Sequence, residues 1–238
     1  MQSFSRSLRV IVTSGCMGIT ARRTFSSITA KVIMALAGLF LLVFLLVHLG
    51  INLLLLAGDD GKSFSIAASF MATNYVIRIF EVALFGGFLV HMVVGVGVSI
   101  RNRTSRPIRY QHKSESETSP MSKYMLHSGI VVFLFLVLHF IDFYFVKLGL
   151  VAPPAGIERH DFYHRTLLLF ADKGYSAVYL VCFIFLGFHL NHALQSGFQT
   201  IGLNHSKYTV AIKTFSMLYA IVVAGGFMVI PLWFMFFR

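Results

Sequence analysis

The chain has 238 residues, 57% of them hydrophobic and only 12% charged, with 25 phenylalanines; a soluble domain of this size has no core able to hide so much apolar surface, so the bilayer is its solvent. Its formal net charge of +11 is carried by basic residues flanking apolar stretches, where membrane orientation and anionic lipid headgroups account for it and no nucleic-acid partner is expected. Cys16 and Cys182 lie far apart, which offers neither a disulfide framework nor a thiolate metal site.

The first 28 residues carry Arg and Ser and no acid, a composition shared by organellar transit sequences and by amphipathic arms lying on a membrane surface. The arm is the preferred assignment, over residues 1–30. Five uncharged stretches follow, at 32–57, 82–100, 124–141, 174–197 and 214–237. Each approaches or exceeds the roughly 20 residues that cross about 30 Å of hydrocarbon as a helix. The predicted spans are about 31–57, 75–100, 123–148, 174–197 and 211–237, in one transmembrane domain over 31–238. Gly86, Gly87, Gly95 and Gly97 fall inside the second span, where they let helices or a flat cofactor approach closely. Residues 101–120, RNRTSRPIRYQHKSESETSP, read as a solvated loop. The longest connections, 101–123 and 149–173, are too short for a separate soluble catalytic domain. No repeat period, G-x-G-x-x-G string or P-loop is present. The fold class is therefore all-α, with five transmembrane helices.

Lys and Arg crowd the N-terminal arm (Arg6, Arg9, Arg22, Arg23, Lys31), the second connection (Arg101, Arg103, Arg106, Arg109, Lys113, Lys123) and the fourth (Lys207, Lys213). The first connection has Asp59, Asp60 and Lys62, and the third mixes Glu158, Arg159, Asp161 and Arg165. The positive-inside rule then places the N-terminus in the cytoplasm and the C-terminus outside.

Ten histidines are many for so apolar a chain, and four spans carry one near mid-membrane: His48, His91, His139 and His189. With a rise of about 1.5 Å per residue, His48 and His139 fall roughly 5 Å outward of the centre, and His91 and His189 roughly 5 Å inward. An antiparallel up-down bundle sets the first span opposite the third and the second opposite the fourth, so each depth-matched pair meets across the core. Two imidazoles facing one another are suited to ligating haem iron, and a Phe- and Leu-rich interior solvates a porphyrin. The expectation is two b haems within the first four spans, about 10 Å apart in depth. One histidine alone reads more simply as a polar residue bonded between helices; four at two shared depths call for a purpose. His192 lies one turn beyond His189 on the same face, and spacing leaves both open as the fourth ligand. His127 and His192 are candidates for bonding a haem propionate, with an interfacial role the competing account for His127. His112, His160, His164 and His205 lie in connections and are expected to be solvated.

The strings SSITAKVIMALAGLFLLVFLLVHLGINL, FLVHMVVGVGVSI, SGIVVFLFLVLHFIDF and GFHLNHALQSGFQTIG together resemble the five-helix, di-haem cytochrome b subunit of bacterial succinate:menaquinone and quinol:fumarate oxidoreductases, over nearly the whole chain. The family's fourth-helix ligand directly follows an aromatic residue, which selects His189 over His192. The resemblance implies that His91 and His189 hold a proximal haem and His48 and His139 a distal one. It implies as partners a flavoprotein subunit, an iron–sulfur subunit docked on the basic cytoplasmic loops, membrane lipid and quinone, with menaquinone expected. It further implies the bacterial cytoplasmic membrane, a possible dimer of the whole complex, and no dicarboxylate chemistry in this chain itself. Glu81 and Asp142 are the quinone or proton candidates near the distal haem, with pairing of Glu81 to Arg78 the simpler alternative. The competing functions are a cytochrome b of another quinone-linked oxidoreductase, such as a hydrogenase or formate dehydrogenase, and a proton-coupled transporter using the intramembrane His, Glu81 and Asp142. The fifth span carries no His, and bundle packing or dimer contact is its expected role.

Overall fold

The computed structural model describes residues 27–104, 124–203 and 205–237, and every regular element among them is helical. The N-terminal arm up to residue 26, Cys16, His112 and the basic residues Arg106, Arg109, Lys113 and Lys123 lie outside the described residues. Helix α1 covers Ser27–Leu53 and continues as a tighter turn over Leu54–Leu56. Helices α2 (Lys62–Thr73) and α3 (Tyr75–Thr104) follow. Helix α4 runs over Met125–Lys147, with a wide π-helical turn at Phe140–Tyr144. Helices α5 (Phe162–Ala171), α6 (Lys173–Thr200) and α7 (Ser206–Phe237) complete the order.

Five segments are long and apolar enough to cross a membrane: Ile28–Leu56, Tyr75–Asn102, Met125–Lys147, Lys173–Thr200 and Ser206–Phe237. Their uninterrupted Leu, Val, Ile and Phe runs satisfy the backbone inside the helix, as a hydrocarbon solvent requires. Helices α2 and α5 lie in stretches expected from the sequence to be plain connections. Local capping starts them: Asp59 accepts bonds from the Ser63 amide and hydroxyl ahead of α2, and Asp161 accepts the His164 amide at 3.1 Å ahead of α5. Gly61 joins the two, because a Cβ there would lie 2.3 Å from the Tyr163 ring and its φ of +78° suits glycine. Asp172 then accepts the Tyr175 amide and starts α6.

Helix α1 packs against α3, α6 and α7, and α4 packs against α6. Helices α3 and α4 meet through side chains, with Phe85 against Phe140 and Tyr144 and Lys147 bonded to Glu81. The tightest apolar core lies where α6, α7 and α1 converge, around Leu42, Leu49, Phe183, Leu190, Val223 and Phe227. Helices α2 and α5 pack on each other and on the spans at the end where α1 and α4 finish. Of the four α3 glycines expected to mark close approach, a Cβ on Gly87 would meet Phe40 at 3.2 Å and one on Gly95 would meet Met34 Sδ at 3.6 Å, whereas Gly86 and Gly97 face open space.

Candidate functional site

At the end where α1 and α4 begin, two imidazoles are cradled in matching fashion by neighbouring helices. His91 on α3 approaches the Met34 carbonyl of α1, Nδ1 to oxygen 3.2 Å. That carbonyl is one turn before Gly38, and a Cβ on Gly38 would stand 3.2 Å from His91 Cε1. His189 on α6 approaches Ser128 of α4, Nδ1 to Oγ 3.3 Å, and a Cβ on Gly129 would stand 3.4 Å from His189 Cε1. Each glycine thus makes the room its histidine occupies.

These contacts assign protons. A carbonyl oxygen only accepts, so His91 presents Nδ1–H to Met34. The Ser128 hydroxyl donates its one hydrogen to the Met125 carbonyl at 2.9 Å, so it too can only accept, and His189 presents Nδ1–H to it. Both inner imidazoles are left with the Nε2 lone pair free, the atom a metal takes when the other nitrogen is held as a donor.

Toward the other end, His48 of α1 and His139 of α4 face each other edge to face, ring centroids 5.8 Å apart. Phe44 stacks on His48 at 5.3 Å, Phe227 of α7 contacts it at 5.8 Å, and Phe135 and Phe143 flank His139 at 5.9 and 5.1 Å. His139 Nδ1 is buried without a hydrogen-bond partner. The Asn52 amide nitrogen, bonded to the His48 carbonyl at 2.8 Å, sits 3.4 Å from both nitrogens of the His48 ring, too far and too evenly placed to fix a tautomer. Ten residues along α1 separate Gly38 from His48, so the two levels stand about 15 Å apart along the helix. That is wider than the spacing expected from span centres, because the inner ring reaches back toward the start of α1.

Beyond His48 and His139, two polar groups of α4 face opposite sides of the helix, Asp142 within the π turn and Lys147 after it. Asp142 faces α6 and accepts from the hydroxyls of Tyr175 and, at 2.9 Å, Tyr179. Lys147 faces α3 and pairs with Glu81 at 3.0 Å, and Arg78 instead lies over the Tyr75 ring. The pairing of Glu81 with Arg78 suggested by their spacing is therefore replaced by an interhelical ion pair. Arg165 of α5 is 1% exposed; it donates to the Asp142 and Arg159 carbonyls at 3.3 and 3.5 Å, and its Nε has no partner. Burial holds its guanidinium below the usual value, with Asp161 and Asp142 opposing that shift.

His192 is half-buried and lies close enough to His189 to interact with it, whereas His127 is exposed and edge-on to Tyr124 at 5.8 Å. His164 is exposed and bonds Asp161. Sequence reasoning missed Met34, Gly38, Ser128 and Gly129, which touch the inner imidazoles, and Arg165, Tyr175 and Tyr179, which surround Asp142. The spacing of Ser128–Gly129 ten residues ahead of His139 carries the signal for one of them, since it sets a small polar step on α4 at the depth of His189. Among the described residues no three of His, Cys, Asp and Glu converge as the ligands of a bare ion would; His48 and His139 stand ring to ring. Comparison with known proteins returned no match: no family model, curated protein or solved structure aligns with the chain.

Proposed function

We propose that this chain is the di-haem cytochrome b anchor of a succinate:quinone oxidoreductase, passing electrons between an iron–sulfur subunit on the cytoplasmic face and membrane quinone, with menaquinone the expected carrier. The observation that carries the reading is the placement of four intramembrane histidines at two levels: His48 and His139 stand ring to ring, and His91 and His189 lie against Gly38 and Gly129, ten residues before His48 and His139 on α1 and α4. Haem iron takes one or two protein ligands, so a histidine couple suits a bis-histidine haem where a triad would suit a bare ion. His48 and His139, whose ring centroids are 5.8 Å apart, would hold one of the two haem irons. The unpartnered His139 Nδ1 is a buried polar atom whose ring gains a role from such a ligand.

In this reading α1, α3, α4 and α6 form the bundle around two b haems, which supply reversible one-electron redox chemistry when bound. Met34 and Ser128 hold the protons of the inner imidazoles at Nδ1. The rings of Phe44, Phe135, Phe143 and Phe227 keep water from the outer couple. Asp142, with Tyr175 and Tyr179, and the Glu81–Lys147 pair hold protons at the outer end, where quinone chemistry consumes or releases them. The flavoprotein subunit carries the dicarboxylate reaction, and the chain lies in the bacterial cytoplasmic membrane with its N-terminus inside.

Reduced-minus-oxidised spectra of membranes containing the whole complex test this. Low-spin b-type bands and two haems per chain are expected. His91→Ala or His189→Ala removes one haem, and His48→Ala or His139→Ala the other. A colourless protein overturns the proposal, as does loss of the same haem from the His48 and His91 variants. Co-purification with a flavoprotein and an iron–sulfur protein distinguishes this complex from a hydrogenase or formate dehydrogenase. The intramembrane acids Glu81 and Asp142 favour a second reading, a proton-coupled transporter; substrate flux in liposomes without redox partners would establish it instead.

A further inference from the structure

The inner couple is held by something the outer couple lacks: an acceptor on each Nδ1–H. For His91 the acceptor is the Met34 carbonyl, which already receives the Gly38 amide within α1 by the ordinary helical pattern. Its second lone pair is open only because Gly38 has no side chain to cover that face, as the 3.2 Å approach of a Cβ there to His91 shows. For His189 the acceptor is the Ser128 hydroxyl, buried at 7% exposure and turned by its own bond to Met125 so that a lone pair faces the imidazole. The same short stretch of helix supplies acceptor and space on both sides: Met34 with Gly38 on α1, Ser128 with Gly129 on α4.

We propose that Ser128 is a positioning residue that fixes the tautomer of His189 and enriches its Nε2 in electron density, so that the iron it ligates is biased toward the ferric state. This rests on the haem reading above. An acceptor on the distal nitrogen gives an imidazole partial imidazolate character and makes it a stronger donor to a metal. Second-shell hydrogen bonding of this kind is one of the levers by which a protein sets a haem potential. Ser128 is the side-chain acceptor of the two, and so the one a substitution can remove without touching a backbone group.

The test is a redox titration and electron paramagnetic resonance of the whole complex carrying Ser128→Ala, Ser128→Thr or the control Ser216→Ala. Ser216 is a fully buried serine whose hydroxyl has no hydrogen-bond partner, so its loss reports removal of a buried hydroxyl that bonds no imidazole. Ser128→Ala is expected to raise the midpoint of the haem lost in His189→Ala, to shift that haem's low-spin signal, and to leave the other haem unchanged. Ser128→Thr, which keeps the hydroxyl, restores the parent midpoint, and Ser216→Ala keeps both. An unchanged inner midpoint in Ser128→Ala overturns the inference, as does loss of the inner haem in both Ser128 variants, which would make the site one of packing alone. Absence of haem from the parent complex defeats the proposed function itself, an outcome separate from either of these.

Discussion

The two histidine couples are built from the same side chain and held by different means. At the inner level each imidazole leans on a neighbouring helix that offers a glycine and an oxygen, and ring orientation and proton position are both set before any ligand arrives. At the outer level the rings face each other inside a collar of four phenylalanines, and the buried His139 Nδ1 has no partner. The polar groups there stand one step further out, as the Asp142–tyrosine cluster and the Glu81–Lys147 pair. A hydrogen-bonded ligand is pre-organised, with geometry and basicity fixed by the protein. A ligand in an aromatic box has its polarity controlled by exclusion of water, and its proton traffic handled by neighbours. On the proposed di-haem reading, the level of His91 and His189 would be the better fixed ligand set and the level of His48 and His139 the better equipped for protons, with electrons entering at one face and quinone served at the other.

The comparison is broken most severely by filling the inner cradle. Gly38→Val places a Cβ 3.2 Å from His91 Cε1 with two further methyls beyond it, and a rigid branched side chain on a helix has no other rotamer to retreat to. Complete loss of the inner haem is expected, read as halving of the b-type absorbance, with the outer haem intact. Gly50→Val, on the same helix where nothing lies within 4 Å of the new Cβ, keeps both. Equal haem content in the two variants would show that the glycine does not shape the site.

A smaller effect is expected at the outer end. Lys147→Met removes the cation paired with the Glu81 carboxylate, leaving it the Tyr144 hydroxyl and the charge of Arg78, and Glu81→Gln removes the anion paired with Lys147. An unpaired charge at mid-bilayer costs on the order of 3 kcal/mol on insertion scales and less toward the interface. Each single variant therefore lowers the thermal midpoint in detergent, and the double variant recovers most of the loss, because removing both charges leaves neither stranded. Both haems should remain. A double variant as unstable as the two losses combined would show that the pair does not couple α3 to α4.

What could be read from the sequence follows the physics of the solvent. Spans were legible because hydrocarbon enforces long uncharged runs, and the five structural spans differ from the expected ones by a few residues at their ends. The approach of His48 to His139 was legible because depth along a helix is linear in residue number. Helices α2 and α5 were not, since they are short, start from local Asp caps and depend on the Gly61–Tyr163 contact between segments a hundred residues apart. The partner of Glu81 was missed for a related reason: Arg78 is near in sequence, but Lys147 is brought close only by the antiparallel meeting of α3 and α4. Gly38 carried no signal of its own, and of the four glycines that stood out, Gly87 and Gly95 meet Phe40 and Met34 whereas Gly86 and Gly97 face open space. A glycine's importance lies in what approaches it, and that is tertiary information.

The smallest expected effect concerns the fifth span, which lies outside both couples yet touches each region between them. The Tyr219 hydroxyl of α7 donates to the Leu42 carbonyl of α1 at 2.6 Å, at a height between Gly38 and His48. Leu42 keeps its helical partner when that bond is removed, so no carbonyl is orphaned, and Tyr219→Phe should cost only about 0.5–1 kcal/mol. A slight fall in thermal midpoint is expected, with both haems retained and both midpoints unmoved. If either midpoint shifts instead, α7 sets the height or tilt of α1 and thereby the placement of His48 and of the Met34–Gly38 cradle. The two couples would then be linked through one helix, and their different means of support would be parts of a single adjustable element.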